Sequence, residues 1–457
     1  MGSIRKSATA VAAALAVAGA LAACGGTAQP PTAGGKTAIS VVSLKPGSEK
    51  AAFDAFDAQV AQFEAANPDI DVTSQEYEWT GPTFTAQLAG GTLPTVFTVP
   101  FTDGKGLVER RQLADITDHV TSFGYADKFN KTVLAAGQSD DGRIYAVPTE
   151  AYGVGLQYNR TLFTQAGLDP EKPPTTWADV RAYAKQIAER TGQAGYAQMT
   201  QENTGGWMLT TLTYAHGGRM QVASGDKVEA TVDNPGAKAA LALLRDMRWT
   251  DNSMGSNFLL DWSGINQEFA AGKIGMYMGG SDVYTSLKQQ NNINPADYGL
   301  AVLPLVPGAQ SGLLGGGTLA AVNVKATPEQ QAAAAKWIDF YYMAKLTRKD
   351  AAELDAKTLA ASDQPVGVPK LPVFDKATLT RYDEWIKPYV NVPVAQMTSF
   401  TDGIFEQELA GEPVAHTQEM YAVLDSVVQA VLTDPAANID ALLANADAEV
   451  QSILDRG

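Results

Sequence analysis

The chain has 457 residues, beyond the ~250–300 at which one hydrophobic core stops growing, so two packed units are expected. It is 45% hydrophobic and 18% charged, an ordinary globular composition, and 34 basic against 50 acidic residues disfavour nucleic acid and anionic lipid surfaces as partners. A single cysteine, Cys24, excludes an internal disulfide, a thiolate metal cluster and a redox dithiol.

At the N-terminus, Arg5 and Lys6 precede an apolar run from Ala8 to Ala23, shorter than the ~20 residues that span a bilayer. Residues 1–23 read as a secretory signal peptide. Cys24 follows Leu21-Ala22-Ala23, a box that resembles the bacterial lipoprotein signal, in which the thiol is diacylated and becomes the new N-terminus. Loss of Arg5 and Lys6 leaves 32 basic against 50 acidic residues, a formal charge of about −18. Residues 24–36, rich in Gly, Pro and Thr, read as a lipidated flexible tether.

Ala38–Val42 reads as a strand. A helix follows with Phe53, Phe56, Val60 and Phe63 on one face, Ser48 as its N-cap and Pro68 beyond its end. Ile70–Trp79 reads as a strand, Thr83–Ala89 as a short helix and Thr95–Pro100 as an apolar strand. This β-α-β-α-β order implies a parallel or mixed sheet with helices on its faces. Thr176 with Asp179, Asn234-Pro235, and Thr327-Pro328 with Gln330 open three further helices, and Gly192 ends the first of them. Ala360–Pro372 reads as a connection between lobes, and Asp440–Leu454 as a closing amphipathic helix.

Four segments together resemble the extracytoplasmic solute-binding proteins of ABC sugar importers, the large family that includes maltose-binding protein. They are Gly142–Glu150 continuing to Leu156–Asn159, Pro174-Thr175-Thr176-Trp177, Phe269–Met276, and Gly299–Pro304 followed by Gly315–Thr318. In order and spacing they span nearly the whole mature chain. The resemblance implies an α/β, two-lobed periplasmic-binding-protein-like fold, with mixed sheets, flanking helices and hinge strands crossing between the lobes. It places lobe one at 37–149 and 306–358 and lobe two at 150–305 and 359–457. Two departures stand out: Thr95 where relatives carry aspartate, and Ser281-Asp282 where maltose binders present a tryptophan. The second bears on which sugar is bound.

The implied function is that of a substrate-binding lipoprotein. It would take a di- or oligosaccharide in an interlobe cleft and deliver it to ABC permease subunits, meeting the ATPase subunit only indirectly. A carbohydrate site needs aromatic platforms for C–H faces and carboxylate or amide groups for hydroxyls. On the family positions, Glu150 ends the first crossover in apolar surroundings, Tyr152 follows it, and Asp103 follows a strand end, where it could equally cap a helix from Gly104. Trp207 falls on the lobe-two stacking position. Trp79 and Trp262 are further loop aromatics, Asn203 and Asp282 further polar contacts, and Gly316 and Gly317 allow close backbone approach. Gly315–Gly317 read as leading into a strand. Trp177 and Trp337 read as packing residues.

His119, His216 and His416 lack metal-ligand spacing, and neither a Gly-x-Ser-x-Gly elbow nor a Walker motif is present, so no cofactor, metal or catalytic group is expected. The protein is expected to be a monomer, membrane-anchored by lipid on the extracytoplasmic face. The alternatives are a receptor for another polar solute, such as a glycerophosphodiester or polyamine, and a secreted lipoprotein glycosidase working with paired carboxylates.

Overall fold

The computed structural model describes residues 35–456 except 49, 225–226 and 309, so Cys24 and the leader lie outside the described residues. The chain opens β1 (Thr37–Val42), helix Lys50–Ala66, β2 (Ile70–Gln75), helix Gly81–Gly90, β3 (Val96–Pro100), helix Phe101–Glu109. Both β2 and β3 pair with β1 in parallel, as the alternation of strands and helices requires. β2 stops at Gln75 rather than at Trp79, and Trp79 lies outside regular structure beyond it. Ser48 donates its hydroxyl back to the Lys45 carbonyl at 2.8 Å, tightening the turn ahead of the first helix.

Two long strands organise everything else. β4 (Ala146–Asn159) and β9 (Leu313–Val322) run antiparallel, pairing from Ala146↔Ala321 to Gly153↔Gly315. Between them in the chain come the hairpin β5 (Gln221–Ser224) and β6 (Lys227–Ala230), then β7 (Met276–Gly280) and β8 (Tyr298–Val302). The second half of β4 pairs with β7 and β8, while the second half of β9 pairs with β3. β4 and β9 therefore each belong to two lobes and form the crossing between them. The last strand, β10 (Leu409–Gly411), lies parallel to the start of β9.

Lobe one is buried on both sheet faces. Ile39, Val41, Ala320 and Val322 join Phe56, Phe63 and Trp337 in one core, while Val42, Phe97, Leu319 and Ala321 join Phe84 and Leu107 in the other. That alternation follows from the two-residue period of strands covered on both sides. Lobe two has a single large core around Leu156, Trp177, Leu209, Tyr277, Leu300, Phe400 and Leu424. Its helices start as the sequence signals require: Thr176 and Asp179 form a reciprocal capping box for Trp177–Thr191, and Asn234 caps Pro235–Arg245. Thr327 and Gln330 form the same device for Pro328–Ile338 in lobe one. Trp177 and Trp337 are both buried packing residues, as expected.

The stretch Ala360–Pro372, read from sequence as an interlobe connection, begins in the last turn of helix Lys349–Ala361 and leads on to Phe374, which stacks on Phe129 of the lobe-one core at 4.6 Å between ring centroids. Leu371 in the same stretch donates its N–H to the Ala151 carbonyl of β4 at 3.1 Å. The stretch thus runs along the crossing strand. Between it, β4 and helix Lys376–Ile386 lies a cavity of about 1130 Å³ lined by Glu150, Lys370, Tyr382 and Phe405 among others.

Candidate functional site

β4 covers one edge of β9 from Gly315 to Ala321, so β3 and β10 must both use the other edge. The antiparallel β3 ends its pairing at Pro100↔Thr318, and the parallel β10 ends at Gly411↔Gly315. The carboxyl ends of a lobe-one strand and a lobe-two strand therefore converge on Gly316–Gly317. Ligands of α/β proteins bind at such switch points, outside the carboxyl ends of strands.

The glycines are there because the approach is close. A Cβ on Gly317 would stand 2.3 Å from the Glu150 carbonyl oxygen and 2.8 Å from Phe101 Cζ. A Cβ on Gly316 would stand 2.5 Å from the Tyr152 hydroxyl and 2.9 Å from Glu412 Oε2. Gly315–Gly317 lie inside β9, not ahead of it, because β4 pairs with all three residues and carries the strand through them. Gly317 and Thr318 remain half-exposed on this floor.

From lobe one, Trp79 donates its indole N–H to Asp103 Oδ2 at 3.1 Å. Asp103 sits in the first turn of helix Phe101–Glu109, which begins three residues earlier than a helix capped by Asp103 would. Pro100 takes the cap position, because proline cannot continue β3 as a donor yet is well suited to the entry of a helix. Asp103 is thereby released from capping and meets the Trp79 indole. Burial raises its pKa, against lowering by the Trp79 hydrogen bond and the charge of Arg110. Tyr77 donates to the Thr98 carbonyl at 2.9 Å, packing beside the same group.

From lobe two, Trp207 lies in the first turns of helix Thr204–Ala215, its ring edge-on to Tyr152 with centroids 6.0 Å apart and planes at 89°. The Trp207 indole N–H is buried without an acceptor among the described residues. Asn203 precedes that helix in left-handed backbone (φ 68°) and offers no side-chain cap. Its Nδ2 instead donates to Gln418 Oε1 at 3.1 Å.

Asp282 is half-buried just after β7. Burial raises its pKa, opposed chiefly by the charge of Lys370. Gln157, fully buried on β4, fixes this corner: its amide donates to the Gly279 and Gly280 carbonyls at 3.2 and 3.3 Å, and it accepts the Tyr298 hydroxyl at 2.5 Å.

Glu412 and Tyr421 join these residues without any signal in the sequence. Glu412 follows β10 directly, and Tyr421, on the buried face of helix Thr417–Thr433, donates its hydroxyl to Glu412 Oε1 at 3.0 Å. The Tyr152 hydroxyl is in hydrogen-bonding reach of the same carboxylate. Burial pushes the Glu412 pKa up to about 7, although both tyrosine hydroxyls act to lower it. A lone glutamate before a proline carries no motif, and only the pairing of β10 with β9 brings it to Gly316.

Glu150 and Trp262 hydrogen-bond to none of these side chains. Glu150 is an exposed side chain on β4, ion-paired to Lys370 at 3.3 Å on the cavity side of the crossing. Trp262 opens helix Trp262–Ala270 and packs half-buried against the lobe-two core. Among the described residues no group of three or more His, Cys, Asp or Glu side chains could hold a metal ion.

A family model described as bacterial extracellular solute-binding protein matches residues 58–363. The sn-glycerol-3-phosphate-binding periplasmic protein of Escherichia coli (strain K12) is 24% identical over 319 residues, 66% of this chain and 69% of that protein. The cyclic alpha-maltosyl-1,6-maltose binding protein from Arthrobacter globiformis superposes with a TM-score of 0.71 at 22% identity, covering 93% of this chain and 100% of that one. UgpB from Mycobacterium tuberculosis, solved in complex with glycerophosphocholine, gives 0.67 at 20% identity, with 92% and 99% covered. These likenesses carry the two-lobed fold that the crossing strands describe.

Proposed function

The chain belongs to the bacterial extracellular solute-binding protein family, and from that premise we propose that it is the carbohydrate receptor of an ABC importer. One observation supports the reading: the carboxyl ends of β3 and β10, one from each lobe, converge on Gly316–Gly317, where Tyr152 and Glu412 stand against Gly316. Trp207 and Tyr152 supply faces for sugar C–H groups, and Trp79 adds a third ring from lobe one. Asp103, Asp282 and Glu412 accept hydroxyl protons, and the unpaired Trp207 indole N–H donates to a sugar oxygen. Asn203, Gly316, Gly317 and Trp262 complete the proposed lining, with Glu150 reaching the opening once its pairing with Lys370 exchanges for a ligand hydroxyl.

The mechanism is closure of the lobes about β4 and β9. Ligand bridging both lobes stabilises the closed arrangement and shifts the population toward it, and exclusion of water strengthens each hydrogen bond. No chemical step on the solute is involved. Permease subunits receive the loaded, closed form, and a separate ATPase subunit drives transport. The signal peptide, lipidation at Cys24 and the tether to Lys36 would hold the receptor as a monomer on the extracytoplasmic face of the membrane.

A glycerophosphodiester is the second reading, favoured by the Mycobacterium tuberculosis protein solved with glycerophosphocholine and by the Escherichia coli relative named for the related monoester sn-glycerol 3-phosphate. Against it, three of the groups at the opening are carboxylates, and the cations nearest them, Arg110 and Lys370, already face acids. A thermal-shift panel of disaccharides, oligosaccharides, glycerol 3-phosphate and glycerophosphocholine separates the readings. Stabilisation by a sugar without release of monosaccharide supports the receptor. Stabilisation by the phosphate compounds alone, or turnover of a glycoside, overturns it.

A further inference from the structure

Resting on the carbohydrate reading, we propose that the solute is a basic sugar, one whose protonated amine seats against Glu412 among the rings of Tyr152, Tyr421 and Trp207. The other acids at or near the opening each face a cation: Asp103 faces Arg110, and both Glu150 and Asp282 face Lys370. Among the described residues Glu412 faces none directly. From helix Thr417–Thr433 it meets the Tyr421 hydroxyl and from β4 the Tyr152 hydroxyl, and its charge acts on Tyr214 of helix Thr204–Ala215. The guanidinium of Arg219 lies over the Tyr214 ring, 4.9 Å from its centre.

Chemistry then limits what completes this pocket. Each Glu412 oxygen keeps acceptor capacity after the tyrosine hydrogen bonds, so further donors are accommodated. A carboxylate removed from water is costly unless it is protonated or paired with a positive charge. A neutral sugar supplies hydroxyl donors but no charge, so the proton stays. An ammonium group supplies both the donors and the charge, and electron-rich faces of tyrosine and tryptophan attract it further. The unpaired Trp207 indole N–H, buried beside Tyr152, remains for a hydroxyl of the same sugar ring.

Calorimetry on the protein lacking its first 24 residues, at pH 7, tests this with paired probes. A panel of glucosamine-containing di- and trisaccharides is compared with their N-acetylated forms, which remove the charge, and with maltose. The expected result is at least tenfold tighter binding of an amine-bearing sugar than of its acetylated counterpart, and loss of that preference in Glu412→Gln. The variant keeps the side-chain shape, and a circular-dichroism melt confirms that it folds. Binding of a neutral sugar as tight as, or tighter than, any amine-bearing one overturns the basic-sugar inference and leaves the carbohydrate reading standing. Failure of every sugar in the panel to bind overturns both.

Discussion

The carboxylate of Asp425 accepts the backbone N–H of Asn203 at 2.7 Å, and with its other oxygen the N–H of Gly206 at 2.8 Å. Helix Thr204–Ala215 lacks a side-chain cap of its own, since Asn203 sits at φ 68° with its amide turned to Gln418. Its orphan N–H groups are met instead from helix Thr417–Thr433, which also carries Tyr421. The bond therefore fixes the position of Trp207 relative to Glu412. Asp425→Ala should cost about 1–3 kcal/mol in denaturant unfolding, because two donors near a buried position lose their partner. It should also weaken ligand binding, whereas Asp425→Asn, which keeps one acceptor oxygen, should retain much of both. Equal losses in the two variants would show that the carboxylate acts by its charge alone.

Gly316 and Gly317 differ in what an added methyl meets. At Gly317 it strikes the Glu150 carbonyl oxygen and the Ala151 Cα, both backbone of the crossing strand. Gly317→Ala must spread β4 from β9, and should cost about 1–3 kcal/mol of stability, as overpacking does. At Gly316 the nearest atoms are the Tyr152 hydroxyl, the Tyr152 ring and Glu412 Oε2, all side chain. Gly316→Ala should therefore lose ligand affinity more than it loses melting temperature. Thermal melts and calorimetry on both variants read this contrast, and the reverse order would place the floor of the site elsewhere.

Much of the scaffold was legible because its signals are local. The capping boxes at Thr176 and Thr327 and the apolar face of Phe56 and Phe63 each involve residues within one or two turns, and each forms as expected. The pairing of Trp79 with Asp103 spans 24 positions and was not legible, since it depends on where β2 stops and on Pro100 opening the helix. Glu412 was least legible of all. It reaches Gly316 only through a three-residue strand pairing nearly a hundred positions away, which no pattern along the chain announces.

Cys24 is the only thiol, and the proposed site uses no residue before Tyr77. Address and binding should therefore separate. Cys24→Ser should release the protein from the membrane fraction of an expressing bacterium while leaving the affinity of the purified protein unchanged. Retention in the membrane fraction would overturn the lipid anchor, and loss of affinity would tie the tether to the site.

Glu412 should make the unliganded protein lose stability as pH rises. Its pKa is pushed from an ordinary 4.5 to about 7 by burial, so the folded state holds a proton that the unfolded chain has released. The contribution is fully present below about pH 4.5, declines between about 4.5 and 7, and is gone above that. A carboxylate with a lowered pKa, such as Asp115 beside Arg143, works in the opposite sense and loses its contribution only in acid, well below this window. Glu412→Gln removes the titration and should be more stable than the parent at pH 8 by about 1–3 kcal/mol, with little difference at pH 4.5. Urea unfolding of the two proteins at both pH values reads the difference directly. A constant offset between them would mean that Glu412 does not change its proton occupancy on folding. Binding of an ammonium-bearing sugar should lower the Glu412 pKa and shift this window downward, so the same titration repeated with ligand reports on the occupied site.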